Sequence, residues 1–215
     1  NNVKIAHQYV IPMDIGGRWS GADNSVIRVI DRKERMNAGG DEAIATYINH
    51  IDHDLLAIKG AQLATFYNNG LFVPESNTLD KEGTEGDHTL STLNEISGIY
   101  DNLYCRTSPE KIREGFPQKW GFHTNVQTKP ALITNMNGAI RDFTYYECDK
   151  RALDECETME TKKNGTYGAV AGSHDDILMA TAIGLYVSNE MPMPYIIEEN
   201  KTTRTRVIAK TEAVL

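Results

Sequence analysis

Three acidic positions stand where an apolar run meets a turn. Asp14 lies in YVIPMDI (residues 9–15) and is followed by Gly16 and Gly17. Glu75 closes LFVPE (71–75), and Asp175 and Asp176 open the apolar stretch ILMATAIGLYVS (177–188). A carboxylate inside an apolar segment is costly unless it is paired, protonated or bound to a cation. Each position also has an ordinary structural explanation. Asp14 could accept hydrogen bonds from the glycine amides that follow it. Glu75 could be a solvated strand end. Asp175 and Asp176 could cap a helix, with Ser173-x-x-Asp176 resembling a capping box. Two adjacent acids are nevertheless more than a cap requires. If the two strand ends and the helix start converge, three or four carboxylates share one site, and their like charges raise one another's pKa. Hard divalent cations remove that conflict. Oxygen donors without a Cys or His cluster point to Mg²⁺ or Mn²⁺. Two such ions about 4 Å apart form the clamp used for in-line phosphodiester displacement.

Such a site needs elements that bring distant segments together. Residues 9–15 predict a strand. GGRWSGADN (16–24) is a Gly-rich connection, and SVIRVIDR (25–32) is a β-branched second strand, so the pair reads as a hairpin. Residues 42–49 alternate as a third strand. Asp52 or Asp54 can cap a helix over 53–68. Residues 70–76 form a fourth strand, HTLSTLNEIS (88–97) a helix stopped by Gly98, and IYDNLYCRT (99–107) a fifth strand. Residues 108–125 read as loop, and 129–140 as a helix starting near Pro130. Two short extended pieces flank the turn dipeptide Asn164-Gly165, and 173–188 is a late helix. Phe66, Tyr67 and Phe72 read as core. The order predicts an α/β fold: a hairpin-led, mixed five-stranded sheet flanked by helices, with an added β-hairpin.

Composition sets the outer limits. With 22 Lys+Arg against 30 Asp+Glu, the 215-residue chain carries a formal charge of -8. That balance argues against a module that coats nucleic acid through phosphate contacts alone. It is compatible with a carboxylate site at which cations supply the positive charge. Cys105, Cys148 and Cys156 show no CxxC spacing, which points to a reducing compartment and no zinc site. No apolar run reaches the roughly 18–20 residues of a membrane span, and the start, NNVKIAHQ, has no signal-peptide core. Opening on Asn1 rather than Met, the chain is expected to be a processed product or an excised piece.

A first strand with Asp followed by Gly, a fourth strand ending in an acid and a late helix opening on an acid resemble the ribonuclease H-like nuclease superfamily. In order, MDIGGRWSGADNSVIRVID, INHIDHDLLAIKGAQLATFYNNGLFVPESN, YDNLYCR, KWGFHTNVQTKPALI and AGSHDDILMATAIG are similar to the C-terminal nuclease domain of the large terminase subunit of tailed bacteriophages, over roughly residues 8–188. The resemblance implies a nuclease domain over 1–190 with a tail over 191–215. It implies a two-metal endonuclease, using two Mg²⁺ or Mn²⁺ ions, that cuts concatemeric viral double-stranded DNA during genome packaging in the cytoplasm of the bacterial host. The implied partners are an ATPase motor domain, the portal and the small terminase subunit. No GxxxxGK[ST] loop is present, so this chain is not expected to hydrolyse ATP.

Carried across residue by residue, Asp14 matches the first-strand ligand, Glu75 the fourth-strand acid and Asp176 the late-helix acid. Asp175 is its partner ligand or a cap. His174 reads as an exposed first-turn residue and Asp23 as a turn residue. Arg18, Lys129, Lys162 and Lys163 are the candidate DNA contacts, and Lys129 could instead pair with a carboxylate. Basic residues at 201, 204, 206 and 210 could reach DNA or the portal from a mobile tail. Two other readings stay open. One is a Holliday-junction resolvase or transposase-like nuclease of the same fold, and the other a non-catalytic docking module of a packaging motor.

Overall fold

The protein is described from a computed structural model over residues 4–17, 22–77, 93–162 and 165–197. Its strands are β1 (Ile5–Ala6), β2 (Tyr9–Asp14), β3 (Ser25–Asp31), β4 (Asp41–Asn49), β5 (Leu71–Pro74), β6 (Tyr145–Tyr146), β7 (Met159–Thr161), β8 (Tyr167–Ala169) and β9 (Tyr195–Ile196). Its helices are α1 (His53–Phe66), α2 (Pro109–Arg113), α3 (Thr128–Arg141), α4 (Lys150–Thr158) and α5 (Asp176–Glu190). Five strands form the main sheet in the order β5-β2-β3-β4-β6. β2, β3 and β4 run antiparallel in sequence, while β5 and β6 lie parallel to β2 and β4 at the two edges.

Strand side chains alternate between faces, and here both faces are covered. Ile11, Met13, Ile27, Val29 and Phe72 pack against Leu56, Ala57 and Ala64 of α1 and against Leu93 and Ile96 of the helical turn at 93–97. Val10, Ile30 and Val73 face the other way, onto α3 and α5. α5 is buried almost all round, as its unbroken apolar sequence requires. It sits directly on the sheet at Gly184, where a Cβ would crowd Ile30 and Pro12.

The predicted elements recur with a few corrections. The stretch 99–107 is not a strand of the sheet. It makes isolated bridges, Leu103 to Phe72 and Cys105 to Trp120, and the fifth strand is instead β6. Phe72 is buried, but Phe66, at the end of α1, is 80% exposed. The 108–125 segment contains the short α2, and α4 was not anticipated. β7 and β8 pair as the expected added hairpin; its tip residues Lys163 and Asn164 lie outside the described residues. Beyond residue 190 the chain first returns to the body, with β9 pairing antiparallel to β1. The basic positions 201, 204, 206 and 210 lie outside the described residues, as do residues 88–92 of the predicted helix 88–97 and Arg18.

One buried network ties the end of α5 to the sheet. Arg32 donates from Nε to Ser188 Oγ (2.7 Å), from Nη2 to the Ser188 carbonyl (2.9 Å) and from Nη1 to the carbonyls of His7 (2.6 Å) and Pro192 (3.1 Å). Ser188 Oγ in turn donates to Asp41 (2.7 Å), which Arg35 grips at 2.5 Å. A cation against the last carbonyls of a helix also complements its dipole. Replacing Arg32 with Met should therefore strand buried carbonyls and lower the unfolding free energy by about 3 kcal/mol, measured by urea titration.

Candidate active site

The parallel pairing of β2 and β5 sets the site. Met13 stands opposite Pro74, and the Glu75 amide donates to the Met13 carbonyl at 2.7 Å. Asp14 and Glu75 are therefore neighbours at the C-terminal ends of adjacent strands. The two-residue period places both on the face that carries Val10, Val73 and α5. Their carboxyl groups come within hydrogen-bonding reach of each other. α5 begins over the same strand ends and adds Asp175 and Asp176. All four acids line one cleft of about 520 Å³, with Lys129 and Asp23 at its edge.

The ordinary explanations for these acids do not describe what the structure shows. The Gly16 amide donates to Ser25 Oγ (3.1 Å) and the Gly17 amide to the Asp23 carbonyl (2.8 Å), so neither is spent on Asp14. Gly16 is needed for a different reason: a Cβ there would overlap the backbone of Asp23 and Asn24. His53, buried beneath this turn, holds the Gly16 carbonyl through Nε2 at 3.1 Å. Glu75 is not a solvated strand end. It is 9% exposed and bridges to Phe122 on the side away from β2. The cap position of α5 is Asp175, not Ser173, and the Asp175 side chain makes no capping bond.

Asp175 instead lies 3.6 Å from Lys129 Nζ. Asp176 is held by Asn24, whose backbone amide (2.7 Å) and side-chain amide (3.1 Å) both donate to Oδ2. On the outer side of the same carboxylate, His174 Nδ1 lies 3.6 Å from Asp176 Oδ2 and 3.8 Å from Asp23 Oδ1. One ligand atom each from Asp23, His174 and Asp176 can lie within 4.8 Å of the others, a spacing that could hold a metal ion. Lys162 lies against Gly168 on the hairpin, whose Gly165, Thr166 and Tyr167 border the cleft. Asn24 and Glu155, which accepts from the Leu178 amide at 3.0 Å, complete the arrangement. Neither was singled out from the sequence. Asn24 meets Asp176 across 152 residues of chain, and no local pattern announces that contact.

Electrostatics follow from this crowding. Burial pushes the Asp14 carboxyl well above the ordinary carboxylate range, and Glu75, Asp176 and Asp175 push it further. Burial also raises Asp176, against the opposing pull of the Asn24 hydrogen bonds. Glu155 is pushed up to about 7, mainly by burial and then by Asp176 and Asp175, while the Leu178 and Ile177 amides oppose the rise. The cluster holds more negative charge than the surrounding protein compensates, so it favours protons or cations.

No protein-family model matches the chain, and no curated protein is significantly similar to it. Solved structures do share its fold. The large terminase nuclease from the thermophilic phage G20c aligns with a TM-score of 0.57 and 17% identity, over 84% of this chain and 82% of that one. The large terminase nuclease domain of Thermus phage P74-26 aligns with a TM-score of 0.52 and 19% identity, over 83% of this chain and 78% of that one. The mixed sheet flanked by helices is thus the ribonuclease H-like fold of terminase nuclease domains, as the sequence resemblance implied. At these identities the likeness is one of fold.

The raised carboxyls make stability depend on pH. A carboxyl whose folded pKa exceeds its unfolded value leaves the folded state holding the extra proton, so stability is lost as pH rises through that window. For Asp14 and Asp176 the window opens near pH 4, and for Glu155 it extends to about 7. With chelator present, the melting temperature should therefore fall between about pH 4 and pH 7, and Asp14→Asn should raise it by several degrees at the upper end. Scanning calorimetry checks both.

Proposed function

We propose that this chain is a divalent-metal-dependent endonuclease that hydrolyses phosphodiester bonds of double-stranded DNA. The observation that carries the reading is the meeting of Asp14 and Glu75, from parallel strand ends, with Asp175 and Asp176 in a single cleft. Nothing in the packing of an ordinary core calls for four carboxyls in one place. Their oxygen donors, and the raised proton affinity of Asp14 and Asp176, fit hard divalent cations. Asp14, Glu75 and Asp176 would hold such ions, with Asp175 as a further ligand. When bound, Mg²⁺ or Mn²⁺ ions supply Lewis-acid polarisation of the phosphate and activation of the attacking water.

The protein's own part is positioning. The β2–β5 register sets Asp14 beside Glu75. Asn24 occupies Asp176 Oδ2 and thereby orients the carboxylate. Lys129 restrains Asp175 and keeps a positive charge at the cleft edge, where a phosphate backbone would approach. Lys162 on the β7–β8 hairpin is proposed for a second backbone contact, as are Arg18 and Lys163, which lie outside the described residues. The shared fold and the sequence resemblance support the finer reading, cleavage of concatemeric viral DNA during packaging. In that setting an ATPase motor, the portal and the small terminase subunit are the partners.

With Mn²⁺ or Mg²⁺, the chain should nick and linearise supercoiled plasmid, and EDTA should stop it. Asp14→Asn, Glu75→Gln and Asp176→Asn should each slow cutting at least about hundredfold while leaving the circular dichroism spectrum unchanged. Asp175→Asn should cost less. Cutting at the wild-type rate by the Asp14 variant would overturn the assignment. A strong preference for four-way junctions over plasmid would move it to a resolvase.

A further inference from the structure

The first amides of a helix have no partner within it and need acceptors from elsewhere. At α5 the residue in the cap position, Asp175, supplies none from its side chain. The Met179 amide donates to the Asp175 carbonyl at 2.8 Å. The two amides before it turn to a different helix: Leu178 donates to Glu155 Oε2 at 3.0 Å, and Ile177 donates to the same carboxylate. Glu155 lies on α4, which is anchored by Ala152 packing among Val26, Ile177 and Ala180. Its acceptor therefore arrives on a fixed support.

The arrangement has a consequence for the cleft. A helix that opens with two acids would ordinarily consume one of them as its cap. Here the cap comes from outside. Asp175 is left facing Lys129 and the cleft, and Asp176 is left to Asn24 and the cleft. The cost is a further carboxylate beside two others, which a purely structural cap would avoid.

We infer that Glu155 is a positioning residue: by capping α5 from α4 through the Ile177 and Leu178 amides, it frees Asp175 and Asp176 to act as ligands. The inference deepens the nuclease reading and rests on it for its metal readout. Its structural half stands on amide exchange alone.

The test compares wild type with Glu155→Ala, which removes the acceptor, and Glu155→Gln, which keeps an acceptor oxygen without the charge. Glu155→Asp, which keeps the charge but withdraws it by one methylene, serves if the alanine variant does not fold. Glu155→Ala or Glu155→Asp should speed hydrogen exchange at Ile177 and Leu178 about tenfold or more. In calorimetric titration with Mn²⁺, the same variants should bind about tenfold more weakly, and half-maximal plasmid cutting should need correspondingly more Mn²⁺. Glu155→Gln should stay within about threefold of wild type in all three measurements. A wild-type Mn²⁺ affinity in folded Glu155→Ala or Glu155→Asp would overturn the inference, as would Glu155→Gln being as impaired as alanine. Wild-type protein that neither takes up Mn²⁺ nor cuts DNA would sink the nuclease reading instead, and the exchange rates would still decide whether Glu155 caps α5.

Discussion

Carboxylates repel, and a site made from four of them exists only if the surrounding structure holds them together against that repulsion. Asp14 and Glu75 cannot separate without breaking the parallel ladder between β2 and β5, because the Glu75 amide is bonded to the Met13 carbonyl. Asp176 cannot withdraw without giving up two hydrogen bonds from Asn24. The repulsion is stored in the pKa of Asp14, which burial and its acidic neighbours raise. The sheet, the late helix and the turn after β2 can each be read as supports for this one unfavourable juxtaposition.

Those supports are rigid where they need to be. α5 is buried along nearly its whole length, and its far end is fixed by Arg32, Ser188 and Asp41. A helix held at both ends and packed directly on the sheet at Gly184 has little freedom to slide. The position of Asp176 relative to Asp14 is therefore set by the core and by Asn24, not by the hairpin that borders the cleft. Around the cleft stand Lys129, in the first turn of α3, and the β7–β8 hairpin.

Much of this was legible in the sequence because burial leaves a mark. A charged residue in an apolar strand violates the alternation around it, so Asp14 and Glu75 stood out. The apolar stretch of α5 and the turn dipeptide Asn164-Gly165 were equally plain. Elements with few buried side chains left no such mark. α4 buries only Ala152, so its sequence carries no apolar stripe. β6 has two residues, too short for any period to show. The stretch 99–107 has strand-like composition, but Phe72 exhausts its outward hydrogen bonds on Asn102 and Tyr104, and Cys105 then turns away to Trp120. Asn24 and Glu155 were invisible for a different reason. Their roles are defined by partners 152 and 23 residues away, and polar residues in turns and on exposed helices look alike until the fold brings them to the acids.

The acidic character of the chain is compatible with the same chemistry. A polyanion approaching this cleft meets its own sign of charge: the carboxyls of Asp14, Asp23, Glu75, Asp175 and Asp176 there, and Glu155 behind them. The nearby cations among the described residues, Lys129 and Lys162, are too few to reverse that field, and Lys129 is already engaged with Asp175. On the proposed reading, divalent ions therefore do more than activate a bond. They invert the sign of the cleft, so the carboxylates that would exclude a phosphate backbone become the groups that recruit it. A net charge of -8 is then no obstacle to acting on DNA, since the attraction is local and depends on the ions that the acids collect.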